Sequence, residues 1–272
     1  MEVAFRKSVA APGCPPRLSE AQRYALFPGG GRLRPQLCLV ASVACGDARP
    51  AIADGAAVAI ELLHCASLVH DDLPCFDDAD TRRGKPSVHK VFGEPLAVLV
   101  GDAFIVHAFD VLTRSAAGSR ELPELLGTLA AAAGTTRGLL AGQAWESEPV
   151  APLDVYQRAK TASLFEAAAA MGAIAAGAPP EPWRRFGEAL GRAYQAVDDL
   201  NDAVGDTRTL GKPTGRDTAL GRPSVVRTLG VEAARARVRG LMGAALAEVR
   251  GCDGEHLVRA WLASFSVRFG VR

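Results

Sequence analysis

The chain has almost no net charge. Its 31 Lys and Arg offset 30 Asp and Glu, leaving +1 over 272 residues. Nothing in that balance suggests a partner of one strong sign, so no nucleic-acid or anionic-membrane role is expected. A long uncharged apolar run is also missing. The best candidate, 95–109, is interrupted by Asp102 and His107, so no transmembrane segment is expected. Met1-Glu2-Val3-Ala4-Phe5-Arg6-Lys7-Ser8 has no apolar core behind its charges and makes a poor secretory signal. The six cysteines (Cys14, Cys38, Cys45, Cys65, Cys75 and Cys252) form no Cys-x-x-Cys pair. They read as free thiols in a reducing cytoplasm, not as a zinc site or a disulfide framework. Strand-period alternation and repeats of 20–50 residues are absent too, which excludes β and solenoid architectures. No linker divides the chain. The expectation is one all-α domain over 1–272, with 1–17 loose. Apolar runs predict helices over 18–27 (capped by Ser19), 36–47, 53–70, 95–113, 122–145, 152–177 and 183–204, and more within 224–272. Residues 84–89 and 205–223 read as loops.

What the chain does have is aspartate in two places. Nine of its sixteen Asp lie in 71–80 or 198–206. The first stretch, His70-Asp71-Asp72-Leu73-Pro74-Cys75-Phe76-Asp77-Asp78-Ala79-Asp80-Thr81-Arg82-Arg83-Gly84, holds five carboxylates in ten residues and then two arginines. Such a cluster repels itself unless cations neutralise it. A solvated acidic loop is the ordinary explanation, but the apolar run 57–69 leads straight into it. The second stretch, Tyr194-Gln195-Ala196-Val197-Asp198-Asp199-Leu200-Asn201-Asp202, also follows an apolar helical run, with Asp198 and Asp202 on one helix face. Both clusters come late in their helices, where negative charge opposes the helix dipole. Hard divalent cations bound to carboxylate and phosphate oxygens would account for that placement.

Together the clusters resemble the first and second aspartate-rich motifs of the trans-isoprenyl diphosphate synthases, the polyprenyl synthetase family. The forms are Asp-Asp-(four residues)-Asp and Asp-Asp-(two residues)-Asp. The likeness spans about residues 18 to 230 in ordered pieces and is nearest to bacterial geranylgeranyl diphosphate synthases. It implies an all-α, single-domain helical bundle of the isoprenoid synthase type around a central active-site cavity. It also implies condensation of isopentenyl diphosphate with an allylic diphosphate (dimethylallyl, geranyl or farnesyl), assisted by Mg²⁺, three ions once diphosphate is bound. Asp71, Asp77 and Asp198 are the implied first ligands of Mg²⁺, with Asp72, Asp78 and Asp202 supporting, and Lys160 joins the first three as catalytic. Arg82, Lys160, Thr161, Gln195 and Lys212 are implied to hold the allylic diphosphate. Arg34, His64 and Arg83 are implied to hold isopentenyl diphosphate. Family members are usually homodimers.

The likeness has departures. In Phe27-Pro28-Gly29-Gly30-Gly31-Arg32-Leu33-Arg34-Pro35, Gly31 stands where the family has a lysine, and Arg32 is the nearest substitute. Glu146 stands where the family often has Asp, and Arg222 stands for a lysine. Two other readings share parts of the pattern. A regulatory subunit of a heteromeric synthase would commonly have lost an Asp motif, and both are complete here. A terpene cyclase or head-to-head synthase would not need the Gly-Gly-x-Arg-x-Arg-Pro stretch or Arg83. Product length is approached through Ala66 and Ser67, five and four residues before Asp71. On a helix they lie about 6–7.5 Å deeper, where an aromatic would floor a growing chain. Small residues there, with the resemblance, imply a C20 product, and C15 is the alternative.

Overall fold

A computed structural model describes residues 13–27, 30–204 and 224–268. Lys212 and Arg222 lie outside the described residues. In chain order the helices are α1 (Pro16–Leu26), α2 (Leu33–Ala44), α3 (Pro50–Asp71), α4 (Val88–Phe92), α5 (Glu94–Ser115), α6 (Leu122–Ala133) and α7 (Leu139–Ala144). A single 3₁₀ turn, Trp145–Ser147, leads to α8 (Leu153–Gln157), a wide π turn (Arg158–Ala162), α9 (Ser163–Ala176) and α10 (Glu181–Val204). Then follow α11 (Val225–Leu229), α12 (Val231–Glu248) and α13 (Glu255–Arg268). Proline opens α1, α3, α5 and α6 at the first or second position, where its missing N–H leaves no helical bond unmade.

The all-α reading stands, with local corrections. Ser19 does not cap α1. The helix starts at Pro16, and Ser19 Oγ inside it accepts from Arg23 at 2.8 Å. Helices α2 and α3 each begin three residues early, so Arg34 is in a first turn and not in the loop before it. The run 122–145 is two helices, because the chain folds tightly at Gly134–Gly138. A Cβ on Gly138 would lie 2.4 Å from Gly134 N. The run 152–177 is broken by the π turn. Residues 84–89 are not a plain loop: β1 (Thr81–Arg82) pairs antiparallel with β2 (Lys85–Pro86). The linking residues, Arg83 and Gly84, both have positive φ (54° and 75°), as a tight two-residue hairpin turn requires.

Helix α9 is the axis of the packing. Ser163-Leu164-Phe165-Glu166-Ala167-Ala168-Ala169-Ala170-Met171-Gly172-Ala173-Ile174-Ala175-Ala176 buries all but Glu166 and Ala176. Its small side chains let α2, α3, α6 and α10 come close. A Cβ on Gly172 would lie 2.1 Å from Cys38 O in α2, and one on Gly187 of α10 would lie 2.4 Å from Phe165 O. Phe104, Phe165, Phe186, Leu37 and Ile60 fill the remaining space, each contributing about 1.5–3 kcal/mol by burial. One apolar core runs from Ala21 to Phe265, and a smaller cluster joins α10 to α11 and α12. By length and composition, α3 and α5 are each long and apolar enough to cross a membrane, which Asp102 and His107 had seemed to exclude for α5. Helix α3 is mostly buried in the protein. Helix α5 is about one-third buried, and Val98, Leu99 and Val106 lie exposed along it.

Candidate active site

The first aspartate cluster is a folded cap on the end of α3. A helix leaves its last carbonyls unpaired. Here the following chain turns back and supplies them with donors: Leu73 N to His70 O (3.0 Å), Asp77 N to Asp71 O (2.9 Å) and Ala79 N to Asp72 O (3.1 Å). The Asp77 bond brings its carboxylate over Asp71. Burial pushes the Asp71 carboxyl up from the usual range, the Lys160 ammonium opposes this, and Asp77 and Glu146 add to it. Asp71, Asp77, Lys160 and Glu146 therefore occupy one electrostatic neighbourhood. Asp78, with φ of 42°, is exposed and sits by His89 Nε2 (3.7 Å) and Lys90 Nζ (3.4 Å).

Asp72 is elsewhere. It is buried and takes Arg82 through two guanidinium nitrogens, Nη2 at 2.6 Å and Nε at 3.0 Å from Oδ1. Burial alone would lower the Arg82 pKa, but the bond to Asp72 and its charge raise it. The pair ties the hairpin to α3 in a planar fork. Both side chains were expected to meet ligands from outside; in this structure they hold each other.

Arg34, His64 and Arg83 do converge. Arg83 lies so close to the glycine-rich turn that a Cβ on Gly30 would fall 2.7 Å from its Nη2. Arg34 is buried with its guanidinium 4.6 Å from the Phe165 ring centre and 6.0 Å from that of Tyr194. Its Nε is buried and has no hydrogen-bond partner among the described residues. Burial first, and then Arg34, Arg83, Arg82 and Arg32, hold the His64 pKa well below 6.5, so the imidazole is neutral at pH 7. A neutral donor ringed by guanidinium groups is a corner that attracts anions. Arg32 contributes charge there but not its hands. It is in the left-handed conformation (φ 49°) and points inward, donating to Glu61 Oε1 and Leu26 O, both at 2.6 Å. It is no substitute for the lysine absent at Gly31.

Lys160 and Thr161 sit in the π turn, a form that recurs at functional sites because it re-aims side chains. Lys160 Nζ donates to Glu146 Oε1, which also accepts from Tyr156 at 2.6 Å. Thr161 Oγ1 donates to Gln195 Oε1 at 2.6 Å. Gln195 Nε2 donates to Asp199 Oδ1 at 2.9 Å. Asp198 and Asp202 are half-buried on α10. The turn thus reaches both motifs, Asp71 through Lys160 and the Asp198 stretch through Thr161. Among the described residues, no three His, Cys, Asp or Glu side chains converge enough to hold an ion alone. Ala66 and Ser67 separate: Ala66 is 2% exposed in the core, while Ser67 is half-buried and donates to His64 O at 2.9 Å. Asp199 and Gln157 had no role in the sequence reading. Asp199's place beside Asp198 was the available signal.

This constellation gathers carboxylates, guanidinium groups and a lysine within an α-helical bundle. The polyprenyl synthetase family model matches residues 15–255, and the chain belongs to that family. Geranylgeranyl diphosphate synthase of Cereibacter sphaeroides is 53% identical over 245 residues, covering 90% of this chain and 85% of the relative. That of Rhodobacter capsulatus is 49% identical, covering 89% and 84%. Among solved structures, a Helicobacter pylori geranyltransferase complexed with magnesium and isoprenyl diphosphate is similar, with a TM-score of 0.82 and 29% identity over 96% of this chain and 93% of that one. A geranylgeranyl pyrophosphate synthetase from Pyrococcus horikoshii matches with a TM-score of 0.81 and 28% identity over 96% and 93%.

Proposed function

We propose that the protein is a geranylgeranyl diphosphate synthase, a trans-prenyltransferase that adds isopentenyl diphosphate to an allylic diphosphate. The observation that carries this is the pairing of two separate cationic corners with one carboxylate site. Arg34, Arg83 and His64 form one corner, suited to a diphosphate that keeps its bond. Lys160 and Thr161 lie at the other, beside Asp71 and Asp77, suited to a diphosphate that leaves.

Relatives at 53% and 49% identity support the C20 product, as do the small residues at Ala66 and Ser67. A C15 product is the alternative. The donor set fits Mg²⁺: the groups are hard carboxylate oxygens, and among the described residues too few converge without diphosphate oxygens to complete a shell. Asp71, Asp77 and Asp198 would hold the metal, with Asp78 and Asp202 in support and Asp72 retained by Arg82. Three ions is the proposed number. Bound there, Mg²⁺ supplies positive charge to the departing diphosphate.

The chain's own groups do the rest. Lys160 exchanges Glu146 for the leaving oxygens, whose charge grows as the C–O bond breaks. The neutral His64 and the guanidinium groups fix isopentenyl diphosphate so that its double bond meets the allylic carbon. Apolar walls keep water from the cation. The proton lost afterwards leaves with the diphosphate. We also propose that two copies pair through the exposed apolar face of α5.

The test is product analysis with Mg²⁺, isopentenyl diphosphate and each of dimethylallyl, geranyl and farnesyl diphosphate in turn. C20 product from the purified chain alone is expected. No condensation with any of them would overturn the proposal, and a chain that condenses only beside a second subunit would reassign it to a regulatory role.

A further inference from the structure

The second aspartate motif contains one residue that the reaction above does not use. Asp199 is 3% exposed, between half-buried Asp198 and Asp202. Among the described residues, its carboxylate accepts from Gln195, Gln157 and Val225. Oδ1 takes Gln195 Nε2 at 2.9 Å, and Oδ2 takes Gln157 Nε2 at 3.1 Å and Val225 N at 2.7 Å. A buried carboxylate so engaged is a poor ligand for an ion arriving with substrate, because each donor displaced would be left buried and unpaired.

The donors have a pattern. Gln157 is the last residue of α8, immediately before the π turn. Gln195 holds Thr161, the fourth residue of that turn. Asp199 therefore grips the turn at its entry directly and near its exit through one intermediary. The turn has little freedom elsewhere. A Cβ on Gly142 of α7 would fall 2.3 Å from Lys160 Cα, and one on Gly191 of α10 would fall 2.6 Å from Ala162 Cα. The turn is packed backbone to backbone between two helices. A π turn is a rare i→i+5 bulge in an α-helix, a form found mostly where its surroundings hold it.

We propose that Asp199 is a positioning residue for the allylic-diphosphate pair Lys160 and Thr161, acting through the π turn and not as a metal ligand. The inference rests on the function proposed above. Asp199 also fixes the amide of Gln195, with its nitrogen on the carboxylate and its oxygen on Thr161. Asp199→Asn keeps the size but offers one good acceptor to three donors. Gln157→Leu releases the entry side of the turn without touching the motif.

The test compares both variants with Asp198→Asn. Steady-state KM for each substrate and the Mg²⁺ concentration for half-activity are measured, alongside calorimetric binding of inorganic diphosphate with Mg²⁺. Asp199→Asn and Gln157→Leu should each raise the allylic KM by about tenfold, the effect of losing one hydrogen bond to a buried charge. The isopentenyl KM and the Mg²⁺ requirement should stay within about twofold. Asp198→Asn should raise the Mg²⁺ requirement. A merely structural role would lower stability and affect both substrates alike, and that result overturns the proposal. So does a Mg²⁺ requirement in Asp199→Asn that rises as in Asp198→Asn, or an allylic KM unmoved in Gln157→Leu. If Asp199→Asn does not fold, Gln157→Leu decides alone. If the parent transfers no prenyl group, the proposed function fails, and weaker binding of inorganic diphosphate by Gln157→Leu still tests the grip on the turn.

Discussion

Arg32 and Gly31 are neighbours with opposite fates. Arg32 and Glu61 form a buried pair, 13% and 1% exposed at the side chain. Removing one partner of such a pair strands the other's charge. Arg32→Ala should therefore lower stability by about 3 kcal/mol, read as a shift in the urea midpoint at constant slope. Gly31→Lys, by contrast, should lower the KM for isopentenyl diphosphate with little change in stability, because it adds a cation where the family has one. Lys160→Ala should raise the allylic KM and Arg83→Ala the isopentenyl KM; equal effects on both substrates would argue against two corners. At this scale the sequence, through its likeness to the family, pointed to Asp71, Asp77, Lys160, Arg34, His64 and Arg83 as candidates. It could not reveal that Asp72 and Arg82 pair with each other, or that Arg32 turns inward. Those outcomes depend on which partner lies nearest in space, and spacing along the chain does not encode that.

Among the elements, α6 offers a pH test. Its cap residue Glu121 accepts from Ser119, from Arg120 at 2.9 Å and from Arg49 at 2.7 Å. Ser119 first, and then Arg120, hold its carboxyl down at about 2, against an ordinary 4.5. A carboxyl depressed by folding stabilises the fold above its unfolded value. That contribution fades as pH falls from about 4.5 towards 2. Glu121→Gln should flatten the acid limb of thermal stability in that window and leave its shape near pH 7 unchanged. The helices themselves were legible from apolar periodicity, proline positions and glycine. Their interruptions were less so. The π turn sits inside a sequence, Tyr156-Gln157-Arg158-Ala159-Lys160-Thr161-Ala162-Ser163, whose propensities suit a plain helix. Only the contacts with α7 and α10 explain it. The hairpin at Arg83-Gly84 is too short to leave a periodic trace.

For the whole molecule, the exposed stripe on α5 predicts assembly. Val106 is 66% exposed and Leu99 50%, on a helix apolar enough to be interior. Light scattering at micromolar concentration should give the mass of two chains, and Leu99→Asp with Val106→Asp should give one. Product length is also a property of the assembled bundle. Ser67→Phe, on the His64 side of α3, should shorten C20 product towards C15. Ala66→Phe enters a filled core and should do so only with a loss of stability. The polar face of the site was readable in the sequence because charge is rare in apolar helices. The depth of its apolar end was not, because any of several helices can supply a floor. One feature reaches further than the site. A π turn holds one residue more than an α-helix needs. Deleting Ala159 would let α8 and α9 run on as a single regular helix, with the flanking helices near their present register and the side chains of the turn re-aimed. Lys160, inside the turn, would swing off Asp71. Such a protein should melt higher than its parent and make no product. The surplus residue is a misprint in the helix, and the proposed chemistry is written in it.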